Sequence, residues 1–444
     1  MKQRRGFFYG WTVLAIAFVI MAVGYALRNT FSVFYPAIVE EFGWGRRGST
    51  ALMFSITILV YGWVAPVAGG LVDRFEPRLV LSVGTCIVGG GIALCSLAST
   101  QWQFYLLYGV MVAIGLSMIG AAPLMAIISN WFVKKRGLVF GILSAGFGVS
   151  LVAAPIAQFL ISGFGWQAAY VIIGLFAIAL IVPLCILFVR RSPREKGLLP
   201  DGLLQTSSEP QPLDEPQGAA GLGGERTSTA GTLAWALKTR HFWLLFLMAF
   251  CILGVGEQIA IAHQVYFFRD VGYEPMRAAT IYSVFGVVFV VGNLCAYYSD
   301  RLGREKVFIA SCLLSAGAVS LLFLITDTSQ PWMPFLFAVC LGLGLGAAAP
   351  VLFATVADIF QGRYFGSIMG CVILGFSLGG AIAPWLAGFL HDKTGSYFVT
   401  FLILLGCLVA SAGLMWLVAP RKIRPVPRQA PAKGDPNNGC VRLG

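Results

Sequence analysis

The chain predicts an all-α membrane protein of twelve transmembrane helices, arranged as two six-helix parallel repeats. Three observations carry this. Of 444 residues, 58% are hydrophobic and only 11% charged, with a mean hydropathy of +0.82, against ~45–50% apolar and ~25% charged in soluble domains. Apolar runs of about 20 residues, the length that crosses a ~30 Å hydrocarbon core, recur twelve times. Finally, residue patterns in the first half return in the second at a nearly constant offset in the numbering. So little polar surface excludes a soluble enzyme, a disordered chain and a nucleic-acid binder.

Backbone amides in lipid have to pair within their own segment, so each run is read as a helix. The first six spans are expected over 8–40, 48–72, 79–98, 102–131, 137–162 and 167–189. The other six are expected over 241–268, 277–299, 306–326, 332–360, 364–390 and 396–419. Lys2, Arg4 and Arg5 before the first run resemble the start of a cleaved leader, but the run is too long for one and eleven more follow. Residues 1–190 thus form an N-terminal six-helix bundle and 241–420 a C-terminal one. Between them, residues 191–240 turn rich in Ser, Pro and Gly and read as a flexible cytoplasmic linker, and 421–444 as a disordered basic cytoplasmic tail. With the N-terminus inside, the inner connections collect 25 Lys and Arg against five outside, Arg46, Arg47, Arg269, Arg277 and Lys393. Both termini are therefore expected to be cytoplasmic, in the cell (inner) membrane. The net charge of +12 belongs to helix ends rather than to a polyanion partner. Nine of the ten cysteines lie in apolar runs without ligand spacing, and Trp11, Trp44, Trp102 and Trp166 fall near helix ends as an interfacial belt does.

The repeat is the most informative pattern. Gly137, Gly141, Gly146 and Pro155 in the fifth span recur as Gly366, Gly370, Gly375 and Pro384 in the eleventh, every pair at the same offset. Ala122-Pro123 and Asn130-Trp131-Phe132 find Ala349-Pro350 and Asp358-Ile359-Phe360, and Asp73-Arg74 finds Asp300-Arg301. Parallel repeats place a solute site between the halves near mid-membrane, and small residues at four-residue spacing let helices approach closely.

Gly70-Leu71-Val72-Asp73-Arg74 and Asp300-Arg301-Leu302-Gly303-Arg304-Glu305-Lys306 resemble the loop motif of the major facilitator superfamily. In the first copy Glu76 stands where that family usually has Gly. More narrowly, Tyr9-Gly10-Trp11, Glu41-Phe42-Gly43-Trp44, Trp131-Phe132 with Lys135-Arg136-Gly137, and Gly165-Trp166 resemble the monocarboxylate transporter branch, which includes the oxalate:formate antiporters. The resemblance covers nearly all twelve spans. It implies the major facilitator fold, transport by alternating access, and gating by Asp73, Arg74, Asp300, Arg301 and Arg304. The competing reading of those charges is plain anchoring at the headgroups. One departure weakens the implied carboxylate substrate: where the branch carries a substrate-holding Arg after Gly in the eighth span, Gly292 is followed by Asn293.

Ionised groups inside a span are costly and mark function by default. Three lie well inside the runs, Arg28, Glu257 and His263, and Arg28 and Glu257 are related by the offset that pairs the repeat glycines. They are expected to line the central cavity from opposite halves. In one reading Arg28 binds an anionic solute and releases Glu257 to take a proton; in the other the two form a structural ion pair. His263, six residues past Glu257, points elsewhere and is either a proton carrier or a packing group. Tyr35 shares the face of Arg28, and Gln264 that of Glu257. Asn29, Tyr61, Tyr282, Asn293 and Tyr297 are further candidates for solute contact, each with packing as the alternative. Asp358, with Arg363 nearby, reads as a gating contact.

No Gly-x-x-x-x-Gly-Lys-Ser/Thr loop occurs, which excludes ATP-driven pumping by this chain. Nor is there a catalytic constellation, and no cofactor or metal is expected. The sequence thus points to a non-enzymatic, monomeric secondary transporter of a small organic anion, monocarboxylate-like and proton-coupled. Its partners are the solute, a proton and the lipid bilayer, with no nucleic acid. Two alternatives stay open: a transporter of neutral or cationic apolar compounds, and a membrane sensor that binds without translocating.

Overall fold

The computed structural model describes residues 8–42, 47–150, 153–202 and 232–420, which are helical throughout with no strand among them. Eleven helices of the described residues are long and apolar enough to cross a membrane. The expected twelfth crossing has a simple account. The fifth span begins as the shorter helix Arg136–Ser150, and the helix Ala153–Phe188 contains Gly165 with φ 79° and ψ 162°. That backbone conformation belongs to glycine and interrupts the helix, so the long segment is the end of the fifth span followed by the sixth.

The remaining spans match their runs: Gly10–Asn29 continued by Phe31–Phe42, Arg47–Arg74, Pro77–Cys95, Gln101–Trp131, Arg240–Asp270, Pro275–Cys295, Arg304–Leu322, Met333–Phe360, Phe365–Thr394 and Phe398–Val418. Two are not uniform α-helices. The fourth contains wide π-type turns at Tyr105–Val112, and the seventh at Ala249–Glu257. Wide turns of this kind recur at functional positions in helices. Large apolar side chains such as Trp63, Leu97, Trp102, Phe159 and Trp385 are exposed, as a lipid-facing perimeter requires. Trp166 departs from the expected belt: it is buried, and its indole N–H donates to Glu41.

The repeat glycines make equivalent contacts in both halves. A Cβ on Gly137 or Gly141 would strike the eighth span at Ala296 or Asn293; on Gly366 or Gly370 it would strike the second span at Gly69 or Ala65. Gly146 and Gly375 sit instead against the first and seventh spans, at Phe18 and Phe246. Each repeat thus contributes one Gly-bearing helix that crosses closely to the other half. Bulkier residues would hold the backbones apart and forfeit the dispersion contacts that bind helices in lipid.

Part of the expected linker, residues 203–231, and the expected tail, 421–444, lie outside the described residues. The described parts of the expected linker, 191–202 and 232–240, are folded against the bundle rather than flexible. Asp201 accepts backbone N–H groups of Val133 (3.2 Å) and Lys134 (2.9 Å), Trp131 donates to the Arg190 carbonyl (3.2 Å), and Arg191 donates to the Asp73 carbonyl. These residues emerge at one end of the bundle, the linker face.

Candidate functional site

Two constellations lie between the halves: a charged seam on the linker face, and a cavity deeper in the bundle. The seam begins with two aspartates that cap helices of the opposite half. Asp73 accepts the N–H groups of Gly366 and Ser367, both at 2.9 Å, and Asp300 those of Gly137 and Leu138, both at 3.0 Å. A carboxylate here satisfies orphan donors and complements the positive end of the helix dipole. Asp300 also pairs with Arg304 (2.8 Å), Arg304 with Asp358 (3.0 Å), and Asp358 with Arg136 (2.9 Å), all four side chains being under a tenth exposed.

This placement corrects part of the expected gate. Asp358 pairs with Arg136 and Arg304, not with Arg363, which lies over the Tyr364 ring, 5.8 Å from its centroid. The reason is local: the tenth span stops at Phe360, Gln361 turns extended (φ −58°, ψ 133°), and Arg363 is carried away to the surface. Arg74 and Arg301 are exposed as well, Arg301 stacking on Tyr297 with 4.7 Å to the centroid. Arg136 is not marked as a gate by the sequence, although it stands in the Lys135-Arg136-Gly137 motif.

The cavity has a volume of about 60 Å³. Its charged lining is Arg28 from the first span and Glu257 from the end of the π-type turns of the seventh, both buried. The charged pair that the repeat relates therefore shares one cavity. Tyr25 and Tyr61 line the cavity beside Arg28, whose guanidinium lies 5.7 Å from the Tyr25 ring centroid, and the Arg28 carbonyl accepts from Tyr108 (2.9 Å). Tyr61 also reaches the N–H of Ala121 at 3.4 Å, where the fourth span breaks at Gly120. Gln258, Ser144 and Asn293 complete the polar lining, and methionine and phenylalanine side chains supply much of the rest.

Of the expected solute contacts, Arg28, Tyr61 and Asn293 line this cavity. The others are elsewhere. Asn29 donates to the Ser150 hydroxyl (2.9 Å), and Tyr297 lies at the linker face under Arg301. Tyr282 is half-buried outside the lining, though within electrostatic range of Glu257. Gln264 is buried two turns beyond Glu257, with no hydrogen-bond partner for its amide among the described residues. The side chain of Tyr35 lies outside the described residues. His263 packs on the eleventh span, its Nε2 2.8 Å from the Pro384 carbonyl, and faces Tyr397. It does not line the cavity with Glu257. Tyr25, Ser144 and Gln258 escape the sequence reading; Tyr25 is one turn before Arg28 and Gln258 adjoins Glu257, so proximity to the charges is the available signal.

The family model described as Major Facilitator Superfamily matches residues 14–333 and 294–439. Human Monocarboxylate transporter 11 is 28% identical over 94% of this chain and 84% of its own length. Monocarboxylate transporter 13 of Rattus norvegicus is 25% identical over 92% and 88%, and human Monocarboxylate transporter 2 is 26% identical over 92% and 85%. Among solved structures, a bacterial homologue of the iron transporter ferroportin in an outward-facing state superposes with a TM-score of 0.67, at 16% identity, over 92% of this chain and 99% of that one. The transporter FucP in the outward conformation gives 0.64, at 14% identity, over 91% and 98%.

Proposed function

Since the chain belongs to the major facilitator superfamily, we propose that it moves a small monocarboxylate together with a proton, by alternating access between the two halves. The observation that carries the reading is the sharing of one buried cavity by Arg28 and Glu257, repeat-equivalent residues of opposite charge. A buried guanidinium without an anion nearby is strongly destabilised, so a carboxylate solute and the Glu257 carboxylate compete for it. When the solute takes Arg28, Glu257 loses its counter-charge in a poorly solvated site and favours the neutral, protonated form. Solute and proton then cross together. The similarity to monocarboxylate transporters supports the substrate class, and the seam on the linker face supplies a set of contacts that can break and re-form as the halves rock.

The membrane is proposed to be the cell membrane, with the linker face cytoplasmic, on the strength of the Lys and Arg bias of the connections. A second reading is favoured by one observation: the eighth span brings an amide, Asn293, into a cavity otherwise largely apolar, which suits a neutral or cationic solute held by Glu257. Uptake of small radiolabelled carboxylates into proteoliposomes, with and without an inward pH gradient, separates the two. In the first reading carboxylate uptake rises with the gradient, Arg28→Gln loses it at least about ten-fold, a loss of about 1.4 kcal/mol or more, and Glu257→Gln retains exchange but no longer responds to the gradient. Undiminished gradient-driven uptake in either variant contradicts the mechanism.

A further inference from the structure

We propose that the folded start of the connecting segment, residues 190–202, is a binding site for the headgroup of an anionic phospholipid at the linker face. This is independent of the cavity and of the solute. Pro193–Lys196 form a single turn, closed by the Glu195 carboxylate, which accepts the N–H groups of Arg191 (2.8 Å) and Ser192 (3.3 Å). The segment is fastened to the N-terminal bundle at both ends: Trp131 donates to the Arg190 carbonyl, and Asp201 holds the amides of Val133 and Lys134. That fastening gathers cations. Lys134, Lys135, Arg190, Arg191, Arg194 and Lys196 come to one side of the bundle end, and Lys134, Lys135, Arg194 and Lys196 are exposed. The acids among them, Glu195 and Asp201, are turned to main-chain N–H groups.

Two features suit this patch to a lipid rather than to a soluble anion. The first is an aromatic floor. Lys196 Nζ lies 5.2 Å from the Tyr9 ring centroid and Lys135 Nζ 5.7 Å from that of Trp11, and those rings pack on Trp131 (5.7 Å) and Phe132 (5.2 Å). Amphipathic rings beneath cations mark the headgroup level of a bilayer. The second is continuity with the lipid-facing wall. The Tyr9 hydroxyl donates to the carbonyl of Phe188 (2.8 Å), two residues before Arg190, and Leu187 and Phe188 are exposed. Acyl chains can lie along that wall while the phosphate meets the cations above it. A soluble anion uses only the upper part. The segment also reaches the seam, because Arg191 donates to the carbonyl of Asp73, the residue that caps the eleventh span. A bound headgroup therefore clamps the segment to the first span and steadies that cap.

The test titrates the full chain, purified in a neutral detergent at low salt, with short-chain dioctanoyl phosphatidylglycerol and, in parallel, dioctanoyl phosphatidylcholine, following the melting temperature. Phosphatidylglycerol is expected to raise it at concentrations where phosphatidylcholine does not, and 0.5 M KCl is expected to weaken the effect. Arg194→Gln and Lys196→Gln each raise the half-saturating concentration about five-fold, the value of one basic group beside an anionic lipid surface. Lys306→Gln, an exposed cation of the other half, leaves it within about two-fold. An equal response to the two lipids overturns the proposal, and so does an unchanged midpoint in the Arg194→Gln/Lys196→Gln double variant. Inorganic phosphate reproducing the shift at the same concentration also overturns it, in favour of a soluble-anion site. The comparison of the two lipids on the wild-type protein does not depend on a variant folding.

Discussion

The two aspartate caps on the linker face are related by the repeat, yet they sit in unlike surroundings. In backbone terms they match: Asp73 holds the first amides of the eleventh span and Asp300 those of the fifth, over glycines that the repeat pairs. Around Asp300 the charge continues through Arg304 and Asp358 to Arg136. Around Asp73 the side-chain partner is the neutral hydroxyl of Ser367, at 3.2 Å. At the repeat positions of Arg304, Arg136 and Asp358 the chain has Pro77, Phe365 and Asn130. Duplication thus preserved the geometry that closes the halves, while the chain of carboxylate–arginine pairs runs on one side only; at Asp73 the neighbouring Arg191 donates to the main-chain carbonyl. The Asp300 side is a buried network whose members depend on one another, and the Asp73 side is an ordinary helix cap.

The sharpest way to break this contrast is Asp358→Ala, which leaves Arg136 and Arg304 buried without their shared carboxylate. Removing one partner of a buried ion pair costs about 3–5 kcal/mol. A large drop in the melting temperature of the purified protein is expected, and a drop no greater than that of a surface variant refutes the network. The paired substitutions Asp300→Asn and Asp73→Asn come next. Losing the Asp73 charge at the helix N-terminus costs about 0.3–1 kcal/mol, and Asp300→Asn costs more because it also strips Arg304 of a partner. Turnover in proteoliposomes is expected to change in the same order, with substrate affinity little altered in either. Equal effects of the two erase the asymmetry. The smallest effect belongs to the exposed arginines: Arg74→Gln and Arg301→Gln are each expected within about 0.5 kcal/mol of wild type, since exposed charges contribute little.

What the sequence makes legible follows from the same physics. Lipid leaves no freedom in where apolar runs begin and end, so the spans and their duplication can be read directly, and burial of charge is so costly that Arg28 and Glu257 announce themselves. Neutral polar residues carry no such penalty, and their facing depends on how each helix is rotated. The sequence offers Tyr282, Tyr297 and Asn29 as candidates for solute contact, each with packing as the alternative, whereas the cavity is lined by Tyr25, Gln258 and Ser144. The wide turns at Ala249–Glu257 shift the face of the seventh span in a way that a regular periodicity does not anticipate. Arg136 is hidden for another reason. Its partner Asp358 belongs to the other half of the chain, and only the packed fold brings a basic residue at the start of one helix against an acid at the end of another.

One glycine has a reach out of proportion to its size. Gly165 alone, with its left-handed backbone, divides the 36-residue helix Ala153–Phe188 into two crossings. Any side chain there is strained by the positive φ, and without the break a straight rod would change the parity of the whole topology from even to odd. Every helix after it would then be threaded in the opposite sense, and the matching halves could no longer meet as twins.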